Sequence, residues 1–289
     1  MNRRAALSSA ALAWLTRAAV AQEVGSAAKF TLSCNLELMF PRSMSHASRI
    51  DLIAEQGLKA FSFWGASGKD LAAMEAAQKR HGLACGSITG NSKTGWNTGL
   101  TKPGFEQAFL DDITEHCVTA RRFGCQNLIC FVGATQKDVP WEVQYRQIID
   151  GLKRAGDLAE KHDVYVVLEP LNPVESPQMS VLTAKDGFKI VAEVNHPRVK
   201  LDFDMYHLQL GEGNLINNLR LGISKGWIRF VEIGDVPGRK EPGTGEVNYG
   251  NIFTSLKSTG YSGFVGMEHG SSSTPEHAIQ VVKKVAGVA

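Results

Sequence analysis

No apolar run in this chain reaches the roughly 20 residues that a membrane-spanning helix needs, so stable insertion in a bilayer is not expected. Charge of one sign is equally scarce. Against 31 Lys and Arg stand 29 Asp and Glu, a formal +2, and no basic cluster interleaves with aromatic residues. That argues against a nucleic-acid partner. The five cysteines (Cys34, Cys85, Cys117, Cys125 and Cys130) contain no CxxC pair, which removes the usual spacing of a thiolate zinc site. Cys34, Cys85 and Cys130 fall in apolar strands and Cys117 in a helix, where a cysteine serves as a small buried hydrophobe. One disulfide stays open if the compartment is oxidising. No linker or low-complexity stretch divides the chain.

What is present suits one large α/β domain. The chain has 289 residues, 43% hydrophobic and 21% charged, enough for a sizeable core. At the start, MNRRA leads into an apolar stretch over 5–15 and then Ala19-Val20-Ala21 before Gln22. A basic start, a short apolar core and a small-x-small site describe an export signal over residues 1–21. Arg3-Arg4, the Ala/Ser-rich core and Arg17 resemble a twin-arginine signal, which implies a periplasmic protein exported already folded, its metal chosen in the cytoplasm. The alternative is an amphipathic helix of the mature protein. Export is favoured because the small residues give a cleavage site and the first strand begins only near Lys29.

Beyond the signal, strand-like runs at 30–35, 60–64, 83–89, 127–132, 164–169, 199–204, 228–233 and 263–268 alternate with helical patterns. The helices are expected at 45–56, 69–81, 105–123, 141–162, 183–194, 215–225, 249–259 and 274–288. Eight strands each followed by a helix make a single (β/α)8 barrel over 29–289. The loops after strands, at 88–104, 170–182 and 234–248, are long and polar, while the opposite connections are very short. The site therefore belongs at the C-terminal ends of the strands.

Four strand-like runs end on a carboxylate: VYVVLEP at Glu169, LDFDMYH at Asp204, IRFVEIGD at Glu232 and GFVGMEHG at Glu268. Singly, Glu169 and Glu268 read equally well as the first polar residue of a loop. Asp204 is the stronger candidate, because His207 follows three residues later. Four converging carboxylates repel and need a cation or shared protons to coexist. Hard oxygen donors with at most one imidazole favour Mg2+ or Mn2+ over zinc. Such an ion would chelate an α-hydroxycarbonyl and stabilise an enediolate, with Glu169 and Glu268 on different sides of the mouth to remove and return a proton. His207 and Arg239 would hold substrate oxygens; the alternative for Arg239 is a solvated loop charge. Asp202, one strand repeat below Asp204, is expected to be structural and to pair with Lys200 or a hydroxyl. The other histidines, His269 included, are expected in packing or surface roles.

The stretches SCNLELMF, VYVVLEPLNP, LDFDMYHLQ, GRKEPGTGEVNY and GFVGMEH together resemble the xylose isomerase-like TIM barrels, and within them the hydroxypyruvate isomerase group. The resemblance covers most of the mature length. It implies that Glu169, Asp204 and Glu268 are metal ligands, that the two glutamates are the acid/base pair, and that His207 and Arg239 contact a small-molecule sugar or hydroxycarbonyl substrate. One position departs: where the family supplies His or Gln from strand 7, this chain has Glu232. The extra negative charge would tighten metal binding and disfavour anionic substrates. A ketose 3-epimerase or oxidised-sugar epimerase is the alternative within the class. An endonuclease IV-like enzyme would need a histidine-rich, multi-metal rim that this sequence lacks. Outside the class, an exported non-catalytic sugar-binding barrel would keep Arg239, Trp64 and Trp96 but turn nothing over. Assembly as a homo-oligomer stays open.

Overall fold

Apolar, β-branched runs become eight short strands: β1 (Thr31–Asn35), β2 (Ala60–Phe63), β3 (Ala84–Thr89), β4 (Asn127–Cys130), β5 (Tyr165–Leu168), β6 (Val199–Asp204), β7 (Ile228–Ile233) and β8 (Phe264–Met267). These come from a computed structural model that describes residues 27–288. The expected export signal over 1–21 lies outside the described residues. All neighbouring strands pair in parallel, and β1 pairs with β8 to close the barrel. The expected (β/α)8 architecture is found. No helix among the described residues is long and apolar enough to cross a membrane.

The crossover helices are α1 (His46–Glu55), α2 (Leu71–His81), α3 (Glu106–Phe123), α4 (Trp141–Lys161), α5 (Ala184–Val194), α7 (Leu215–Ser224), α8 (Tyr249–Ser258) and α9 (Pro275–Ala286), with a short α6 (Met205–Gly211) before α7. Local chemistry sets their ends. Ser45, Asp70, Thr183 and Thr274 each accept a hydrogen bond from a backbone amide of the first turn. Gly82 and Gly124 close α2 and α3 in the left-handed region, at φ 63° and 62°. The helix α6 was not expected, since LDFDMYH reads as a strand running into a loop. Asp204 Oδ1 accepts from Tyr206 N at 2.8 Å and so starts a helical turn straight off the strand. His207 therefore rides on a helix.

Inside the barrel, Ile129, Val167 and Phe230 pack with Tyr165 and Phe264. Outside it, Phe61, Phe63 and Phe123 form one aromatic cluster, with Phe63 and Phe123 edge to face at 5.2 Å. Phe63 is buried; truncating it to alanine would cost about 3–5 kcal/mol, enough to threaten the whole domain. All five cysteines are buried free thiols.

Parallel register places the functional ends level with one another. Asp204 lies opposite Glu232, and Leu168 lies opposite Leu201 two residues before Asp202's successor Phe203. Glu169 and Glu268 sit immediately after β5 and β8, at the same rim.

Candidate active site

The four predicted acids do converge. Glu169, Asp204, Glu232 and Glu268 can each offer one oxygen such that all four lie within 4.8 Å of one another, and all four residues are buried. Burial and the surrounding carboxylates push Glu169 and Glu232 well above the usual carboxylate range. Burial raises Glu268 too, but Arg239 and a hydrogen bond from Trp64 oppose the rise. Asp202 lies directly beneath, fully buried. The expected partner fails: Lys200 Nζ turns away to donate to Gly226 O at 2.8 Å, and neither Asp202 oxygen has a hydrogen-bond partner. Lys200 follows strand alternation to the outer face, where its ammonium stays near water. Burial and the nearby Glu232 hold Asp202 well above its ordinary value.

Arg239 is no solvated loop charge. Asp235 organises the loop that carries it, accepting from Val236 N and Val247 N with one oxygen and from Gly243 N and Gly245 N with the other. Gly245 is required there, because a Cβ would sit 2.1 Å from Val236 O. The loop leaves Arg239 at φ 48°, a left-handed backbone that a bulky residue seldom adopts. From it the guanidinium donates to Asp204 Oδ2 at 2.9 Å, to Glu268 Oε2 in a short contact, and through Nε to Glu268 O at 3.1 Å. It also lies over the Tyr206 ring, 4.7 Å from its centroid. Burial alone would lower its pKa, but the surrounding acids outweigh that and raise it, so it stays charged.

His207 Nε2 faces the cluster, 3.5 Å from both Glu169 Oε1 and Asp204 Oδ2. Its tautomer follows from Asn172, whose Oδ1 accepts from Val174 N and Glu175 N and whose Nδ2 donates to His207 Nδ1 at 2.6 Å. Nδ1 therefore accepts and the proton belongs on Nε2, which faces the acids and makes the 3.3 Å approach of Arg239 Nη1 a contact rather than a hydrogen bond. Burial lowers the pKa of His207, so the ring is neutral near pH 7. His269 points elsewhere, its Nδ1 bonded to Gly270 O at 2.8 Å.

The acids form one pole of a cavity of about 460 Å³, whose other walls include Phe63, Trp64, Trp96, Phe131 and Leu171. The model for xylose isomerase-like TIM barrels matches residues 50–285 of the chain. The chain belongs to that family. Within it, the chain is 30% identical over 178 residues to hydroxypyruvate isomerase of Escherichia coli, covering 62% of this chain and 68% of that protein. It is 28% identical over 241 residues to 2-oxo-tetronate isomerase of Haemophilus influenzae, covering 82% and 92%. Among solved structures, AP endonuclease, family 2, from Brucella melitensis superposes with a TM-score of 0.78 at 26% identity, covering 86% of this chain and 96% of that one. The 3-keto-D-glucoside 4-epimerase of E. coli superposes at 0.74 with 19% identity, covering 89% and 99%, a likeness of fold.

As a member of this xylose isomerase-like family, the chain carries a donor set that fits a divalent cation. Four close carboxylates, with Glu169 and Glu232 strongly destabilised as anions, need positive charge beyond the single guanidinium. The candidate ligands also include a second grouping, Glu169, Asp204 and His207.

Two residues outside the predicted metal and catalytic set touch it directly, with Trp64 expected only in the sugar-binding alternative. Asn35 Nδ2 and Trp64 Nε1 donate to Glu268 Oε1 at 2.9 and 2.6 Å. They lie at the ends of β1 and β2; β1 pairs with β8 only when the barrel closes, and β2 is carried to the same rim as the next strand round. Glu37 supports them by accepting from Trp64 N at 3.2 Å while paired with Lys69.

Proposed function

We propose that the chain is a divalent-metal-dependent isomerase that moves a proton between carbons of a small hydroxycarbonyl compound, with Glu169 and Glu268 as the acid/base pair. The observation that carries this reading is the asymmetry of those two glutamates within one cluster. Glu268 rests against Arg239, Trp64 and Asn35, all donors that favour its ionised form. Glu169 faces burial and three other acids, which favour its protonated form. In the metal-free cluster Glu268 is thus the more readily ionised of the two, which favours it as the base. Isomerase chemistry is supported by the relatives named hydroxypyruvate isomerase and 2-oxo-tetronate isomerase.

Glu169, Asp204, Glu232 and Glu268 would hold the ion, and an all-oxygen set favours Mg2+ or Mn2+. Bound there, a divalent ion would supply charge to polarise a carbonyl and steady the negative charge of an enediolate. The rest falls to the chain itself. Glu268 takes the proton from carbon, and Glu169, with an oxygen within 4.8 Å of it, delivers one back. The Nε2 proton of His207 and the guanidinium of Arg239 orient substrate oxygens. The aromatic walls would flank the bound substrate. We also propose a periplasmic protein freed of residues 1–21, supported by Arg3-Arg4 and the Ala19-Val20-Ala21 site.

The test is proton exchange in D2O, followed by NMR with Mg2+-loaded protein and hydroxypyruvate, tartronate semialdehyde or common ketoses. Deuterium should appear beside the carbonyl, vanish with chelator, and vanish in Glu169→Gln. A Glu169→Gln protein that still exchanges at the wild-type rate removes Glu169 from the chemistry.

A further inference from the structure

The cavity is far larger than a three-carbon acid requires. At about 30 Å³ per water it has room for roughly fifteen waters, and hydroxypyruvate has only about half as many non-hydrogen atoms. Sites of this size commonly enclose much larger ligands. The acids occupy one pole only. At the other, Trp96 is 47% exposed and Trp64 42%, although both line the cavity. Indole rings left open inside a concave site ask for a ligand face to cover them.

The platform is fixed in advance. Trp96 packs against Phe131, ring centroids 5.3 Å apart and planes tilted by 30°, and its carbonyl accepts from Ala134 N at 2.8 Å. Trp96 belongs to the long loop after β3, which is pinned at several points. Asp112 on α3 accepts from Lys93 N, Thr94 N and Thr94 Oγ1, all at about 3 Å. Asn91 bonds both the carbonyl and the amide of Phe131. Thr101 N donates to Val132 O and Thr101 Oγ1 to Ala134 O. His116, buried on α3, lies 3.2 Å from Ser92 Oγ, and Ser92 lines the cavity. A loop tied in this way holds Trp96 in place before any ligand arrives, so little ordering entropy is lost on binding.

We infer that this outer half is a preformed subsite for a second pyranose ring, so that the substrate is a neutral glycoside rather than a free three-carbon acid. A pyranose ring presents an apolar face of C–H groups and a rim of hydroxyls. Trp96 and Phe131 match the face, and Ser92, Ser176 and Glu175 line the same cavity with hydrogen-bonding groups for the rim. Neutrality follows from the inner pole, where four acids outnumber the charges of one guanidinium and a divalent ion together, so a substrate anion would still meet a net negative site. The inference takes the inner pole as the reacting end, as proposed above, but its test reads binding rather than turnover.

The experiment is calorimetric titration of Mn2+-loaded protein with glucose, cellobiose and maltose. A stacked second ring should make at least one disaccharide bind about tenfold more tightly than glucose. Trp96→Ala should erase that advantage while bound Mn2+ and the circular dichroism stay unchanged, and Trp96→Phe should restore most of it. Equal affinities for glucose and both disaccharides overturn the inference, as does a preference that survives Trp96→Ala. Proton exchange in hydroxypyruvate without any disaccharide preference would leave the isomerase reading standing and remove the subsite. A disaccharide preference without exchange in any compound would do the reverse.

Discussion

Arg239 donates Nη2 to Asp204 Oδ2 at 2.9 Å from a left-handed backbone held by Asp235. Strain at a loop residue persists only where the surroundings over-determine it, and here four hydrogen bonds to one aspartate do so. The guanidinium fork reaches Asp204 and Glu268 together while Nε holds the Glu268 carbonyl. A lysine offers one compact ammonium and cannot span the three. Arg239→Lys should therefore lower kcat/KM at least about tenfold, and Arg239→Ala should destabilise the metal-free protein by about 3–5 kcal/mol in urea unfolding. An alanine variant as stable as wild type would show that the acids do not depend on this charge.

Glu232 is the fourth acid of the cluster, and it sits against Asp202, which burial and Glu232 itself hold well above its ordinary value. Glu232→Gln should remove one charge from the cluster and present an amide donor to the Asp202 carboxyl beside it. The metal-free protein should then gain stability at neutral pH, while Mn2+ affinity falls about ten- to a hundredfold. Competition titration with a fluorescent chelator measures the second effect. Unchanged affinity would place Glu232 outside the metal's influence.

The raised pKa values of Glu169 and Glu232 fix the sign of the pH dependence. A carboxyl that binds its proton more tightly when folded stabilises the fold below its unfolded pKa, and that contribution is lost as pH rises through the folded value. The metal-free protein should thus lose stability as pH climbs above the ordinary carboxylate range. Mn2+ must displace those protons, so it should bind more tightly and raise Tm more as pH rises. Calorimetry in two buffers of different ionisation enthalpy counts the protons released. Release of none at pH 6 would mean that the cluster is already ionised.

Trp64 predicts a shift in the acid limb of the pH–rate profile. Its indole N–H stabilises ionised Glu268 through the 2.6 Å bond to Oε1. Trp64→Phe keeps the ring and deletes the donor, so the pKa of the base should rise and the acid limb should move to higher pH. The expected loss in kcat/KM at pH 6 is about tenfold, corresponding to a charge-assisted hydrogen bond of roughly 1.5–3 kcal/mol. A profile that merely scales down without moving would assign Trp64 to substrate packing alone.

Much of this was legible before folding because it depends on local pattern. Apolar runs ending in Glu169, Asp204, Glu232 and Glu268 need only strand alternation and a parallel sheet to bring four acids to one rim, and His207 and Arg239 lie close to two of them in sequence. What was not legible depends on closure and on helix interiors. Asn35 and Trp64 reach Glu268 across sequence separations of 233 and 204 residues. The turn that became α6 hides because Asp204 serves as both strand end and helix cap. Asp202 faces the barrel interior while Lys200 escapes outward, so the expected pair never meets.

Asp112 was hidden for a similar reason, as one acid within an amphipathic helix. Buried on α3, it accepts from the backbone of Lys93 and Thr94 and from the Thr94 hydroxyl, with His116 Nδ1 3.2 Å from its other oxygen. Burial would raise its pKa, but His116 and the loop donors outweigh that and lower it; burial would lower His116, but Asp112 outweighs that and raises it. The contribution of Asp112 is therefore present above its unfolded pKa and lost as pH falls through the depressed value. That of His116 is present below its unfolded pKa and lost as pH rises through the raised one. Asp112→Asn should cost about 1.5–3 kcal/mol of stability and should loosen the β3–α3 loop before the barrel itself. Native-state hydrogen exchange reads this directly: the Lys93 and Thr94 amides should exchange faster while those of α3 and β4 keep their protection. If all four sites speed up together, Asp112 holds the domain rather than the loop, and the aromatic wall that carries Trp96 is no more separable from the core than the strands beneath it.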